Sequence, residues 1–253
     1  MKSTIFSLVL MCITLLATAQ ETDYVKISEA LLEAIRYEKS TEDLQNQLAE
    51  VPLKILSKNL DTDERRLAFW MNTYNAYVQI LLTKNPELFE DRGTFFKKPR
   101  MTVANQKMSF DDIEHGIIRA SQSKYLLGLI PKFWGIEDYE KELRVKERDG
   151  RIHFALNCGA KSCPPIAIYA ADRIDEQLNA SSKAYLERTT EYKPEEDKAK
   201  VTPLFSWFRG DFGGLSGVKS YLRRYEIVPA GAQPSLTFKD YDWTLDLGNY
   251  VDL

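Results

Sequence analysis

Histidine is scarce in this 253-residue chain, with His115 and His153 the two it has. Cysteine is nearly as rare: of three, Cys12 lies in an apolar N-terminal stretch, leaving Cys158 and Cys163. Imidazole chemistry therefore rests on two side chains, and thiol chemistry beyond that stretch on two more. The net charge of −3 shows no excess of one sign, which argues against a nucleic-acid footprint or a strongly basic membrane patch. Beyond the N-terminus no apolar run is long enough to span a bilayer. Internal repeats and low-complexity tracts are absent, and no composition shift marks a domain boundary. A Walker phosphate loop, a dinucleotide glycine fingerprint, a His-Glu-x-x-His pair and a Gly-x-Ser-x-Gly elbow are all missing. No cofactor is expected from this inventory.

What is present begins with a leader. Lys2, the apolar run Ile5 to Leu16 and Ala17-Thr18-Ala19 read as a secretory signal over residues 1–19. The mature chain is then expected to be exported, periplasmic or extracellular, where cysteines can oxidise. A composition of 44% hydrophobic and 28% charged residues suits a globular body with a sizeable core.

Along that body, apolar periodicity predicts a helical pair over Tyr24 to Leu56, an N-terminal extension over residues 20–60. A long helix from about Thr62 to Thr83 follows, opened by carboxylates and ended at Asn85-Pro86. It is apolar nearly all round, so it should be buried on most sides. Asn72, Asn75 and Gln79 share one arc of it, as either a structural hydrogen-bond network or the wall of a polar site. Residues 100–109 read as a small hairpin turning near Asn105, with Ser109 before another helix. On that helix Glu114 falls inside the apolar arc of Ile113, Ile117 and Ile118, while His115 and Arg119 share the opposite side. An acid so placed should be desolvated, with a raised pKa. Val145 to Leu156 reads as strand material, alternating Ile152, Phe154 and Leu156 against His153, Ala155 and Asn157. Asp172 starts a further amphipathic helix. Gly210-Asp211-Phe212-Gly213-Gly214 lacks phosphate-binding spacing and reads as a turn. Gly217 to Tyr225 is a short helix.

Three chemistries remain open to the segment His153 to Cys163. A thiol nucleophile needs a neighbouring imidazole, a third group to orient it and amides to cradle an oxyanion. A Cys158–Cys163 disulfide is the default for two cysteines in an exported protein. A metal site from His115, His153, Cys158 and Cys163 is the third, though its spacing matches no standard zinc signature.

The residues also resemble a known family. Leu67 to Ala76 (LAFWMNTYNA), Ser109 to Arg119 (SFDDIEHGIIR) and His153 to Pro165 (HFALNCGAKSCPP) resemble, in order, three central blocks of the domain-of-unknown-function 547 family. Weaker blocks follow at Phe205 to Phe212 and Tyr241 to Leu245, so the likeness runs from about Asp63 to Leu247. Phe110 stands where leucine is usual and Met71 where isoleucine is usual. The family's motif positions then fall on Asn72, Asn75, Glu114, His115, His153, Cys158 and Cys163, with no reaction attached.

The expectation is one α+β domain over residues 61–253, with helices packed on a modest, mainly antiparallel sheet. The leading functional expectation is a cysteine-type hydrolase or acyl-transferase acting on peptide or amide bonds of the cell envelope. Cys163 would be the nucleophile, His153 the base and Glu114 its orienting acid. Asn72, Asn75, His115, Arg119, Asn157, Cys158 and Ser162 would make up the binding surroundings, with no metal. The ligand would be a small molecule or peptide. The rival expectation is a non-catalytic binding or interaction module with a Cys158–Cys163 disulfide.

Overall fold

Proline sets the first punctuation. The expected helical pair is three helices, α1 (Tyr24–Arg36), α2 (Glu42–Glu50) and α3 (Leu53–Asn59). Pro52, which has no N–H to give to a helix interior, stands at the N-cap of the third and divides the run. These elements come from a computed structural model that describes residues 22–253. The leader read over residues 1–19, with Cys12, lies outside the described residues. Asp23 caps α1 by accepting from the Val25 amide, and the buried stripe of Val25, Ile27, Leu31 and Leu32 packs on the next helix.

That helix, α4 (Asp63–Lys84), is the axis of the molecule. Thr62 caps its first turn through the Arg65 amide, and every residue from Leu67 to Gln79 is buried. Its all-round apolar surface is matched by cover on all sides. Asn85 closes it, and the helix α5 (Arg92–Lys97) leads to the hairpin β1 (Met101–Val103) and β2 (Gln106–Met108). Ala104 and Asn105 both hold positive φ, 51° and 60°, as a two-residue hairpin turn of the primed type requires.

A π-type helix, Asp112–Ile118, follows, with Ser109 and Asp112 bonding each other's side chains and amides at its start. The segment after it carries an exposed apolar loop, in which Tyr125, Leu126, Phe133 and Trp134 are all more than 60% accessible. Then come α6 (Asp138–Leu143), α7 (Ile174–Thr189), the strands β3 (Glu191–Lys193) and β4 (Lys198–Val201), α8 (Leu204–Trp207), α9 (Gly214–Arg224) and β5 (Ser235–Phe238). β4 pairs antiparallel with β3 and parallel with β5. The fold is α+β, with helices dominant over two small sheets. Among the described residues no helix is long and apolar enough to cross a membrane.

One expectation is corrected here. Residues 145–156 do not form a strand; Gly150–Phe154 is a short 3-10 helix. The Asp149 carboxylate accepts from the Arg151 amide and from the Arg151 guanidinium, curling the chain at once. Period-two alternation would place His153 opposite Ile152 and Phe154, yet all three are buried in this turn. The core divides into two apolar clusters, one around α4 and one around Phe154, Tyr185, Phe205 and Phe212. The cleft described next is lined from both.

Candidate functional site

Tyr74 from the middle of α4, Glu114 and His115 from the π-type helix, and His153 from the 3-10 helix meet at one cleft of about 300 Å³. Cys158 adds sulfur to its wall, and Leu156, Pro164, Leu204 and Phe208 are among its apolar lining. Trp207 and Trp243 stack 5.7 Å apart at the side, with Tyr241 packed against both. Arg92, Lys97 and Lys124 put positive charge on the same cleft, against the acids Asp111 and Glu114.

Beneath the cleft lies a buried charge hub. Asp211 accepts from Arg119 Nε at 2.5 Å, from His153 Nε2 at 2.8 Å and from Arg148 Nη1 at 3.0 Å. The side chains of Arg119, His153 and Asp211 are each no more than 2% exposed. Burial opposes ionisation of Asp211, but the hydrogen bonds and charges of His153 and Arg119 hold its carboxyl well below the usual range. Burial, seconded by Arg119, pushes His153 down to about 4 in spite of Asp211, so the imidazole is neutral at pH 7. A neutral ring that donates from Nε2 leaves Nδ1 as its lone-pair nitrogen. The ring stacks on Phe208 at 3.7 Å, and the Arg119 guanidinium lies 4.9 Å from the same phenyl ring.

His115 is fixed the other way round. Arg119 Nη1, which can only donate, lies 2.6 Å from Nδ1, so the ring proton sits on Nε2, 3.7 Å from Asp111 Oδ1. Burial and the positive charges of Arg119 and Lys124 keep His115 well below the ordinary histidine range. Lys124 itself pairs with Asp111. Glu114 shows the desolvation that its position in the apolar arc implies. Burial, joined by the negative charges of Asp111 and Asp211 and opposed by Arg119, pushes it up to about 7. Its Oε2 accepts from Tyr74 Oη at 3.5 Å. Near neutral pH the cleft thus presents a carboxyl that can donate or accept.

The amides take the structural option. Asn72 accepts from the Tyr169 amide (2.9 Å) and donates to the Tyr169 carbonyl (2.8 Å). Asn75 accepts from the Asn157 amide and donates to the Ala155 carbonyl, and Asn157 in turn bonds Gly159 and Pro164. This chain of bonds ties α4 to the turn that carries the cysteines. Ser162 accepts from the Asp242 amide and holds the C-terminal segment; it lies off the cleft.

Cys158 and Cys163 are joined by a disulfide with Cα atoms 6.2 Å apart. The structure therefore brings Cys163 together with Cys158, while His153 is bonded to Asp211. Among the described residues neither sulfur hydrogen-bonds an imidazole, and no group of three or more His, Cys, Asp or Glu side chains stands close enough to hold a metal. Of the residues singled out from the sequence, Glu114, His115, His153 and Cys158 line the cleft. Arg119 braces it from below, and Asn72, Asn75, Asn157, Ser162 and Cys163 stand behind it.

Residues 57–186 match the model of a family described as a protein of unknown function, DUF547. The chain belongs to this family. No curated protein and no solved structure matches it. The span matching DUF547 contains α4, Glu114, His115, Arg119, His153 and both cysteines, and it stops short of Asp211 and Tyr241.

Those last two residues, with the Trp207 and Trp243 wall, fall in the weaker resemblance blocks at Phe205 to Phe212 and Tyr241 to Leu245, but sequence reasoning gave none of them a role in the site. Asp211 looked like part of a turn because it lies among glycines. Close approach explains Gly210, whose Cβ would fall 2.1 Å from the Gly128 carbonyl oxygen, and on the facing turn Gly150, whose Cβ would fall 2.8 Å from the Asp211 carbonyl oxygen; Gly213 and Gly214 instead hold positive φ, 74° and 77°. A usable signal did exist in Arg119, a cation on a helix rich in isoleucine that needed an acid from elsewhere.

Proposed function

We propose that the protein is an exported binding module whose cleft holds a small molecule or short peptide with an aromatic or aliphatic group. The observation that carries this reading is the Cys158–Cys163 disulfide in the wall of a largely apolar cleft. A cystine fixes that wall and removes the free thiolate that a cysteine nucleophile needs. It also suits the oxidising compartment that the N-terminal sequence pattern points to. Trp207, Phe208 and Trp243 would face the apolar part of the ligand. Glu114, with Tyr74 beside it, would bond a carbonyl or amide.

Tryptophan fluorescence tests this directly, since Trp207 and Trp243 line the cleft. Titration with short amidated peptides carrying one phenylalanine is expected to give a saturable change, weakened at least about tenfold (~1.4 kcal/mol) by Trp207→Ala. No saturable response, or one unaffected by that substitution, sinks the reading.

A second reading keeps hydrolysis. It is favoured by a neutral His153 oriented by Asp211 at 2.8 Å, beside a carboxyl that titrates near 7. In that reading Asp211, not Glu114, orients the imidazole, and Cys163 would serve as nucleophile once the disulfide is opened. Turnover of peptide amides or esters that requires a reductant and is lost in His153→Ala would support it; turnover without either requirement would remove it.

A further inference from the structure

The two sulfurs of the disulfide are not equivalent. Cys158 lines the cleft, whereas Cys163 is 1% exposed and lies behind it. The buried sulfur is also the better supplied with donors, since Cys158 Sγ meets the Tyr241 hydroxyl only at a longer 3.7 Å. The Cys158 amide donates to Cys163 Sγ at 3.1 Å, and the Tyr241 hydroxyl donates to the same atom at 3.3 Å. Burial holds Tyr241 protonated far above the ordinary phenol range, so it is a donor at any physiological pH. In the disulfide these bonds are weak, because a disulfide sulfur is a poor acceptor. Both would strengthen roughly twofold if that sulfur became an anion.

We propose that Cys158–Cys163 is a thiol–disulfide exchange centre, with Cys158 the sulfur attacked and Cys163 the leaving sulfur. Its co-reactant is a thiol of small or peptidic size that enters the cleft. In the first step the incoming thiolate bonds Cys158 Sγ as the disulfide breaks. The electron pair of that bond leaves on Cys163, whose thiolate is received by the Cys158 amide and the Tyr241 hydroxyl. A second thiolate then bonds the sulfur of the first, and Cys158 departs with the pair. Two thiols become one disulfide, the protein gains two electrons, and the two protons released by the thiols end on Cys158 and Cys163. The inference goes beyond the binding reading and does not depend on it, since the exchange needs an open Cys158 and no particular ligand.

The experiment uses the native full chain and glutathione as the thiol. The protein is incubated with reduced glutathione, quenched with acid, alkylated with iodoacetamide and mapped by mass spectrometry. Glutathione is expected on Cys158, with carbamidomethyl on Cys163 in the same peptide, under conditions in which the fold is intact by circular dichroism. Tyr241→Phe, which keeps the ring and removes the donor, is expected to slow appearance of the free Cys163 thiol at least about tenfold. Reaction seen only after unfolding overturns the proposal, as does glutathione found equally on both cysteines. An exchange rate unchanged in folded Tyr241→Phe overturns the role given to the leaving sulfur. If Tyr241→Phe fails to fold, Cys158→Ala decides: its Cys163 thiol keeps the residue-158 amide and the Tyr241 hydroxyl as donors and must ionise at lower pH, by thiolate absorbance, than a free cysteine in an unfolded control peptide; equal or weaker ionisation overturns the proposal.

Discussion

His153 and Asp211 lie 58 positions apart in sequence and 2.8 Å apart in space, with both side chains 2% exposed. Arg119 completes the hub from a third segment. The pair fixes which imidazole nitrogen carries the proton and anchors the floor of the cleft.

Asp211→Asn should therefore be strongly destabilising. It leaves Arg119, 1% exposed, without its counter-charge, a defect that costs about 3–5 kcal/mol. Urea denaturation at pH 7 measures it. A loss below about 1 kcal/mol would show that the hub is not held together by charge.

Glu114 gives a pH dependence whose sign is fixed by its direction of shift. Its folded pKa, about 7, lies above the ordinary value of 4.5, so the native state holds a proton that the unfolded state has released. Its contribution is full below about 4.5 and is lost as the pH rises through 7. His153, pushed down to about 4, acts the opposite way, adding stability as the pH rises towards 6.5, and so does the lowered His115. The difference between wild type and Glu114→Gln isolates the first effect. Wild type should lose up to about 3 kcal/mol relative to the variant between pH 4.5 and 8. A flat difference curve would mean that Glu114 titrates normally.

Asn75→Leu should cost about 2–4 kcal/mol, because the Asn157 amide and the Ala155 carbonyl lose their partner in a buried setting. Asn75→Asp should retain acceptance from Asn157 and lose the donation to Ala155. Comparing the two by thermal unfolding checks that the amide arc of α4 is structural: equal losses, or none, would contradict the two-bond arrangement.

Gly210→Ala tests the packing beside Asp211. Its Cβ would meet the Gly128 carbonyl oxygen at 2.1 Å, and backbone cannot yield as a side-chain tip can. A loss of about 1–3 kcal/mol is expected, with faster amide exchange in residues 125–134. Unchanged exchange there would show the two segments to be independent.

Local patterns made much of this legible. α4 and its asparagine arc follow from all-round apolarity broken by three amides, and Asn105 marks the hairpin turn because its φ of 60° is one asparagine tolerates. Desolvation of Glu114 was readable because a helical wheel fixes neighbours three and four residues away. The 3-10 turn at Gly150–Phe154 was misread as strand, since Ile152, Phe154 and Leu156 satisfy a period of two as well as they satisfy a turn buried all round. Asp211 escaped because its meaning is tertiary. Nothing within ten residues of it states that Arg119 and His153 will arrive beside it, and the nearby glycines carry the same signature as an ordinary loop.

The hub is also completed late. As the chain leaves the ribosome, Arg119 and His153 emerge long before their shared counter-ion, so this part of the nascent protein must stay hydrated until residue 211 is made.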